Sequence, residues 1–182
     1  MNEGLIPRRY AKALYKVAVE RKCDSTMYQL MQNLAAAFSA SAELRALIAN
    51  PFVDNNDKTA AIITAAGASS LQDQTFTDFL KLLIQNRRID LTGTVANAYV
   101  DLYRQENNIR RVEVVSAAPL DKDVEKRIKD VVEAHLHGAS MEFSTKVDPD
   151  LIGGFIVTVD NERLDASLRN RLKEIRLNLL NK

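Results

Sequence analysis

The first hundred or so residues carry apolar positions at helical spacing. In the segment 6–22, Tyr10, Leu14 and Ala18 fall on one helical face, and Pro7 suits the first turn because its missing amide has no partner to lose there. Further segments of the same kind follow, at residues 26–38, 43–49, 58–66, 74–86 and 89–106. The connections between them are short. The pattern therefore predicts a six-helix bundle in the N-terminal part of the chain.

The pattern changes after Asn107-Asn108. Strand-like runs occupy residues 111–117, 141–147 and 155–159, with a short fourth strand expected through Arg163-Leu164. An amphipathic helix that Asp121 can cap and Gly138 can end separates the first two runs. A terminal helix carries Leu164, Leu168, Leu172, Ile175 and Leu179. We therefore expect a mainly α protein in which a small α+β domain (β-α-β-β-α, residues 107–182) follows the helical domain (residues 1–106).

The segment 147–180 combines several structural signals. Asp148-Pro149-Asp150 is typical of a turn, and Gly153-Gly154 permits backbone angles that other residues avoid. Either Asp165 or Ser167 can cap the last helix. A phosphate-binding turn lies between a strand and the helix after it, whereas these glycines precede the strand and no Lys-Ser or Lys-Thr pair follows them. The pattern favours a structural turn over a ligand site.

Composition and charge narrow the classes of function. A length of 182 residues allows one large domain or two small ones, and 25 basic against 24 acidic side chains leave a net charge of +1. No chain-wide field therefore attracts nucleic acid or an anionic membrane. Two basic clusters leave a small regulatory or nucleic-acid-binding adaptor open as an alternative function. They consist of Arg8, Arg9 and Lys12 near the start and of Arg87 and Arg88.

Cysteine usage and hydropathy indicate the compartment. The lone Cys23 excludes an internal disulfide framework and fits a reducing environment. Neither a secretory leader nor a run of about 20 apolar residues is recognisable, so we expect a cytoplasmic protein without membrane insertion.

Candidate catalytic groups are poorly supported. His135 and His137 diverge on a helix and cannot share a metal ion. Ser167 has no histidine placed by the sequence to activate it, and Asp148 and Asp150 flank a proline without a partner in a cleft. The sequence predicts neither a catalytic site nor a cofactor or metal site.

Four motifs in order resemble those of the δ subunit of F-type ATP synthases, known in mitochondria as the oligomycin-sensitivity-conferring protein. The C-terminal signature D-P-x-L-I-G-G, a strand and a D-x-S helix start match Asp148, Pro149, Leu151, Ile152, Gly153, Gly154, Asp165 and Ser167. RYAKAL at residues 9–14, FLKLLIQNR at 79–87 and VVSAAPL at 114–120 resemble the family's first helix, fifth helix and entry strand.

The resemblance implies a non-catalytic stator subunit of the proton-translocating ATP synthase, on the cytoplasmic face of the cell membrane. In the family, a groove between the first and fifth helices receives an amphipathic helix from the N-terminus of the α subunit. The matching positions are Tyr10, Ala11, Leu14, Ala18, Phe79, Leu82, Leu83 and Arg87. The C-terminal domain would dock on the C-terminal ends of the b subunits, framed by Asp148, Pro149, Gly153, Gly154, Asp165 and Ser167. The resemblance implies neither cofactors nor nucleic-acid partners.

Overall fold

The computed structural model describes residues 4–68, 74–136, 138–160, 162–168 and 170. Contacts within the chain divide it into two compact units, Met1–Gln105 and Glu106–Lys182. In the described ranges, no helix combines the length and the apolar character that a membrane crossing requires.

The first unit contains helices throughout its described ranges. They are α1 (Leu5–Glu20), α2 (Asp24–Ala40), α3 (Ala42–Ala49), α4 (Asn55–Ala66), α5 (Gln74–Gln85) and α6 (Thr92–Glu106). Helix α6 begins three residues later than the periodicity predicts, because Ile89–Leu91 form a short 3-10 helix before it. The Thr92 hydroxyl donates to the Ile89 carbonyl at this junction and satisfies a carbonyl group of the turn.

Aromatic side chains fill much of the core of the first unit. The rings of Tyr28 and Tyr103 are stacked with centroids 4.2 Å apart, and Tyr15 meets Tyr99 edge-on at 6.1 Å. The Arg104 side chain donates to the Tyr28 hydroxyl at 3.0 Å. Burial, reinforced by the nearby Asp24, raises the pKa of Tyr99 far above its usual value, so this phenol stays neutral. These contacts tie α6 to α1 and α2.

The second unit is built on a mixed four-stranded sheet. Its elements are β1 (Ile109–Ser116), α7 (Lys122–His135), β2 (Ser140–Val147), β3 (Phe155–Val159) and β4 (Glu162–Asp165). The strand order is β2-β1-β3-β4, in which β1 is parallel to β2 and antiparallel to β3. Its core consists of Val112, Val114, Ile128, Val132 and Val157, which join α7 to one face of the sheet. The prediction of a mainly helical chain with a small α+β unit is confirmed, and the mixed sheet is a finding of the structure.

One prediction for the second unit differs from the structure, and another concerns residues that the structure does not describe. Asp121 occupies the N-cap position of α7 in an extended conformation, but its side chain makes no capping hydrogen bond. The predicted terminal helix, with Leu172, Ile175 and Leu179, lies beyond residue 170 and therefore outside the described residues.

Candidate partner-binding groove and docking frame

Helices α1 and α5 lie side by side and run in opposite directions. At one end, the Arg21 guanidinium, just after α1, donates to the Thr75 hydroxyl at 3.1 Å and lies 3.7 Å from the Asp78 carboxylate. Both partners belong to the first half of α5. At the other end, residues from the start of α1 and from the end of α5 line one shared cavity.

This cavity, the α1/α5 groove, has a volume of about 420 Å³. Its lining consists of Ile6, Arg9, Tyr10, Ala13, Leu82 and Arg88. The Leu82 side chain in the second half of α5 is 43% exposed although the next residue, Leu83, is fully buried, and Tyr10 is half-buried. Val17, one turn beyond Ala13, continues the exposed apolar stripe on α1. An apolar strip of this kind, flanked by charged side chains, suits the apolar face of a partner helix.

The residues predicted from the sequence to line this groove divide into two sets. Tyr10 and Leu82 line it, and Arg87 is exposed beside it, with a left-handed backbone (φ 55°). The remaining five are buried: Ala11, Leu14, Ala18, Phe79 and Leu83. Their burial places them in the core of the first unit and not on the surface of the groove. A direct contact between any of the eight residues and a partner stays a prediction.

Sequence reasoning missed four lining residues, Ile6, Arg9, Ala13 and Arg88. On α1, the stripe Ala11, Leu14, Ala18 faces the core, while the stripe Tyr10, Ala13, Val17 lies one residue earlier. Because successive residues are about 100° apart on a helix, both stripes have the same spacing and similar apolar content. The signal that could have identified these residues is the second apolar stripe. A helix that packs against the core with one face needs only one apolar stripe, so a second one indicates a further contact surface.

The Gly153-Gly154 pair brings two backbone segments into close contact. Gly154 has φ +81°, and a Cβ atom at this position would lie 2.5 Å from the Ala166 carbonyl oxygen. The Leu168 amide donates to the Gly153 carbonyl, and the Ala166 amide donates to the Phe155 carbonyl, both at 3.0 Å. The chain after β4 is thereby attached to the start of β3. This geometry requires glycine at position 154.

Asp148 and Pro149 shape the approach to this turn. The Asp148 carboxylate accepts a hydrogen bond from the Asp150 amide at 3.0 Å and so begins a short 3-10 helix, Pro149–Leu151. The Asp148 amide donates to the Ser116 carbonyl at the end of β1. Ile152 then adopts φ +62°, which is unusual for a β-branched residue, and its side chain is 70% exposed. The turn is held by these backbone and side-chain hydrogen bonds, and it exposes the apolar side chain of Ile152 to solvent.

Asp165 and Ser167 both act as capping residues. The Ser167 amide donates to Asp165 at 3.0 Å, and the buried Ser167 hydroxyl accepts from the Asn170 amide at 3.2 Å. Hydrogen bonds from the Ser167 side chain and then from its amide, with a contribution from Arg163, lower the pKa of Asp165. A lowered pKa means that ionised Asp165 favours the folded state above its usual pKa, and that this contribution is lost as the pH falls. Ser167 is held as a cap and is not arranged as a nucleophile.

Within the ranges that the structure describes, no group of three or more His, Cys, Asp or Glu side chains is arranged to hold a metal ion. His135 lies exposed at the end of α7, and His137 is outside the described residues.

Comparisons with known proteins agree over nearly the whole chain. The family model described as ATP synthase delta (OSCP) subunit matches residues 6–179. The ATP synthase subunit delta of Bacteroides thetaiotaomicron is 35% identical over 182 residues, which is 100% of this chain and 97% of that protein. The protein of the same name from Parabacteroides distasonis is 37% identical over 180 residues, 99% of this chain and 98% of the relative.

A solved structure has the same fold. A chain of the Toxoplasma gondii mitochondrial ATP synthase hexamer superposes with a TM-score of 0.69 at 21% identity, covering 96% of this chain and 97% of that chain. The fold, the ordered motifs and the full-length similarity agree, and this chain belongs to the ATP synthase delta (OSCP) subunit family.

Proposed function

We propose that this chain, a delta-type component of the ATP synthase peripheral stalk, is a non-catalytic coupler that joins the catalytic head to the stalk. In this role it would resist rotor torque, so that proton-driven rotation is coupled to ATP synthesis. The family match over residues 6–179 is the observation that carries the proposal. A coupler of this kind needs two binding surfaces and no reaction centre. It would work on the cytoplasmic face of the cell membrane.

The first surface is the α1/α5 groove. We take α1–α6 to form a single bundle that presents this groove to the N-terminal helix of the α subunit. Exposed Leu82 and half-buried Tyr10 supply apolar contacts, while exposed Ala13 lets a guest helix approach closely. Arg9 and Arg88 supply charge at the edge. Apolar anchors inside a charged rim are the usual composition of a helix-binding groove.

The second surface belongs to the unit that begins at Glu106. A cleft of about 620 Å³ separates α7 from β3 and β4, and its floor includes Val157 and Val159. Val131 and Leu164 line the same cleft and are 71% and 66% exposed. Large exposed apolar side chains beside an apolar cleft are characteristic of a protein interface. This cleft is our candidate for docking the C-terminal ends of the b subunits.

A peptide titration tests the groove. A labelled peptide from the N-terminus of the α subunit of the same ATP synthase should bind the full-length chain in a fluorescence-anisotropy assay. Leu82→Asp removes an exposed apolar contact and adds a charge, so the Kd should rise at least about tenfold, given that burying a leucine contributes roughly 1.5–3 kcal/mol. Leu82 is a better choice than Phe79, because Phe79 is buried and its replacement by Asp would damage the fold itself.

Phe52→Asp provides a matched control. Phe52 is 95% exposed between α3 and α4 and does not line the groove, so the same kind of substitution should leave the Kd unchanged. Circular dichroism would verify that both variants keep their helices. If the unmodified chain does not bind the peptide, or if Phe52→Asp weakens binding as much as Leu82→Asp, the groove is not the binding site.

A further inference from the structure

The α1/α5 groove lies at one end of the α1/α5 helix pair, and basic side chains are concentrated at that end. Arg9 and Arg88 line the cavity itself; the exposed Arg8 and Arg87 are their neighbours in sequence, and the exposed Lys12 follows Arg9 by three residues on α1. Within the described ranges, neither Arg9 nor Arg88 takes part in an ion pair or side-chain hydrogen bond. The exposed carboxylate of Asp90 follows Arg88 by two residues, so five basic side chains and one acidic side chain leave an excess of basic charge at this end.

The opposite end of the same helix pair is balanced. The Asp78 carboxylate lies 3.7 Å from Arg21 and 3.8 Å from Lys81, and Glu20 is exposed at the end of α1. With the exposed Lys22 and the half-buried Asp24, which follow Arg21, three basic and three acidic side chains balance there. Along the α1/α5 helix pair there is thus a gradient of charge, from an excess of basic side chains near Arg9 and Arg88 to balanced charge near Asp78.

We propose that this gradient fixes the direction in which a partner helix lies in the groove. The partner is an amphipathic helix whose acidic residues are grouped at one end, and that end lies over Arg9 and Arg88. The inference rests on the proposed function, namely that a helix enters the groove, and adds a rule for its orientation. Arg9 and Arg88 are positioning residues in this scheme.

Apolar contacts alone do not set the direction. Burial of apolar surface is non-directional, and the lining formed by Ile6, Tyr10, Ala13 and Leu82 accepts a ridge of Leu and Ala side chains from a helix of either polarity. Opposite charges across an interface favour one register and disfavour the reversed one. A helix that placed its acidic end near Asp78 would face a carboxylate and leave both arginines unpaired.

Two designed peptides test this rule. Both are 20-residue amphipathic helices of identical composition with a Leu/Ala stripe, and four glutamates occupy either the first two turns or the last two turns. Each carries a nitroxide at its N-terminus and is added to isotope-labelled full-length chain, so that line broadening of amide NMR signals shows where the N-terminus lies. We expect the first peptide to broaden signals near Arg9 and the second to broaden signals near Thr75 and Asp78.

Charge reversal provides the second half of the test. Arg9→Glu combined with Arg88→Glu should weaken the binding of both peptides at least tenfold at low salt. The two peptides should then no longer lie in opposite directions. Lys122→Glu combined with Lys126→Glu makes the same change of net charge on exposed positions of α7, and should alter neither affinity nor direction. Added salt should reduce the affinity of the unmodified chain but not that of the Arg9/Arg88 variant, in which salt screens repulsion between glutamates.

The outcomes separate this inference from the proposed function. If both peptides and the α-subunit peptide bind in the groove but both designed peptides lie in the same direction, the charge rule is wrong and the groove remains the binding site. If the Lys122/Lys126 variant loses affinity as much as the Arg9/Arg88 variant, the effect comes from net charge, and the rule is again wrong. If no peptide binds the unmodified chain, both proposals fail together.

Discussion

At the scale of single residues, Gly154 is constrained both by its backbone angle and by its neighbours. Its φ of +81° is unfavourable for other residues by roughly 1–2 kcal/mol, and an added Cβ would meet backbone atoms of Ala166 and Ser167, which cannot rotate away. Overpacking adds about 1–3 kcal/mol. We therefore expect Gly154→Ala to lower the free energy of unfolding of this unit by about 2–5 kcal/mol, measured by urea denaturation.

Gly138→Ala separates the two causes. Gly138 has a similar φ of +88°, but a Cβ atom there would have no neighbour within 4 Å. This variant should therefore cost only the backbone term, about 1–2 kcal/mol. Equal losses of stability in the two variants would contradict a role for the close approach between Gly154 and residues 166–167.

The structural role of a residue could be predicted from the sequence where it depends on neighbouring residues alone. Asp148, Asp165 and Ser167 make the capping bonds that their positions predict, because such bonds depend on neighbours within three residues. The sequence could not sort the groove lining from the core, because burial depends on which of two similar stripes of α1 meets the rest of the unit. Arg88 and Arg87 are adjacent and chemically identical, and only the three-dimensional structure places Arg88 in the lining.

At the scale of elements, periodicity located every helix from α1 to α7 and all four strands to within a few residues. It could not supply the strand order β2-β1-β3-β4. Pairing of β1 with both β2 and β3 joins residues far apart in sequence, such as Val112 with Phe143 and with Val159. Side-chain alternation is compatible with several such orders, so the sheet topology follows from packing against α7 rather than from local pattern.

Packing of α2 against α6 depends on the absence of a side chain at Gly93. A Cβ atom there would lie 2.7 Å from Cδ1 and 2.9 Å from Cγ of Phe38, close to the base of the ring, where the side chain cannot easily move aside. Alanine is about 1 kcal/mol better than glycine within a helix. We expect the clash to outweigh that gain, so that Gly93→Ala lowers the thermal midpoint.

The sign of this effect should depend on Phe38. In a Phe38→Ala background the ring is gone, and Gly93→Ala should then stabilise the protein by up to about 1 kcal/mol through helix propensity alone. A double-mutant cycle measured by thermal unfolding would show this reversal. If Gly93→Ala destabilises both backgrounds equally, the contact with Phe38 is not what requires glycine in α6.

At the scale of the whole molecule, the proposed coupler has two binding surfaces, and we expect each to keep its function when the other unit is unfolded by mutation. The α1/α5 groove lies within Met1–Gln105, and the cleft beside α7 lies within Glu106–Lys182. Each unit has a hydrophobic core of its own among the described residues. The change in periodicity near residue 107 predicts a domain boundary there. Independent folding of the two parts stays a prediction.

Gly154→Val tests that independence through function. A β-branched side chain at φ +81°, forced against the backbone of Ala166, should loosen or unfold the second unit. Binding of a peptide from the C-terminal end of the b subunit, followed by calorimetry, should fall at least tenfold. Binding of the α-subunit peptide to the groove should be unchanged, because the residues that line it belong to the first unit. If both affinities fall together, the two units do not fold independently, and a division near residue 107 does not describe how the protein works.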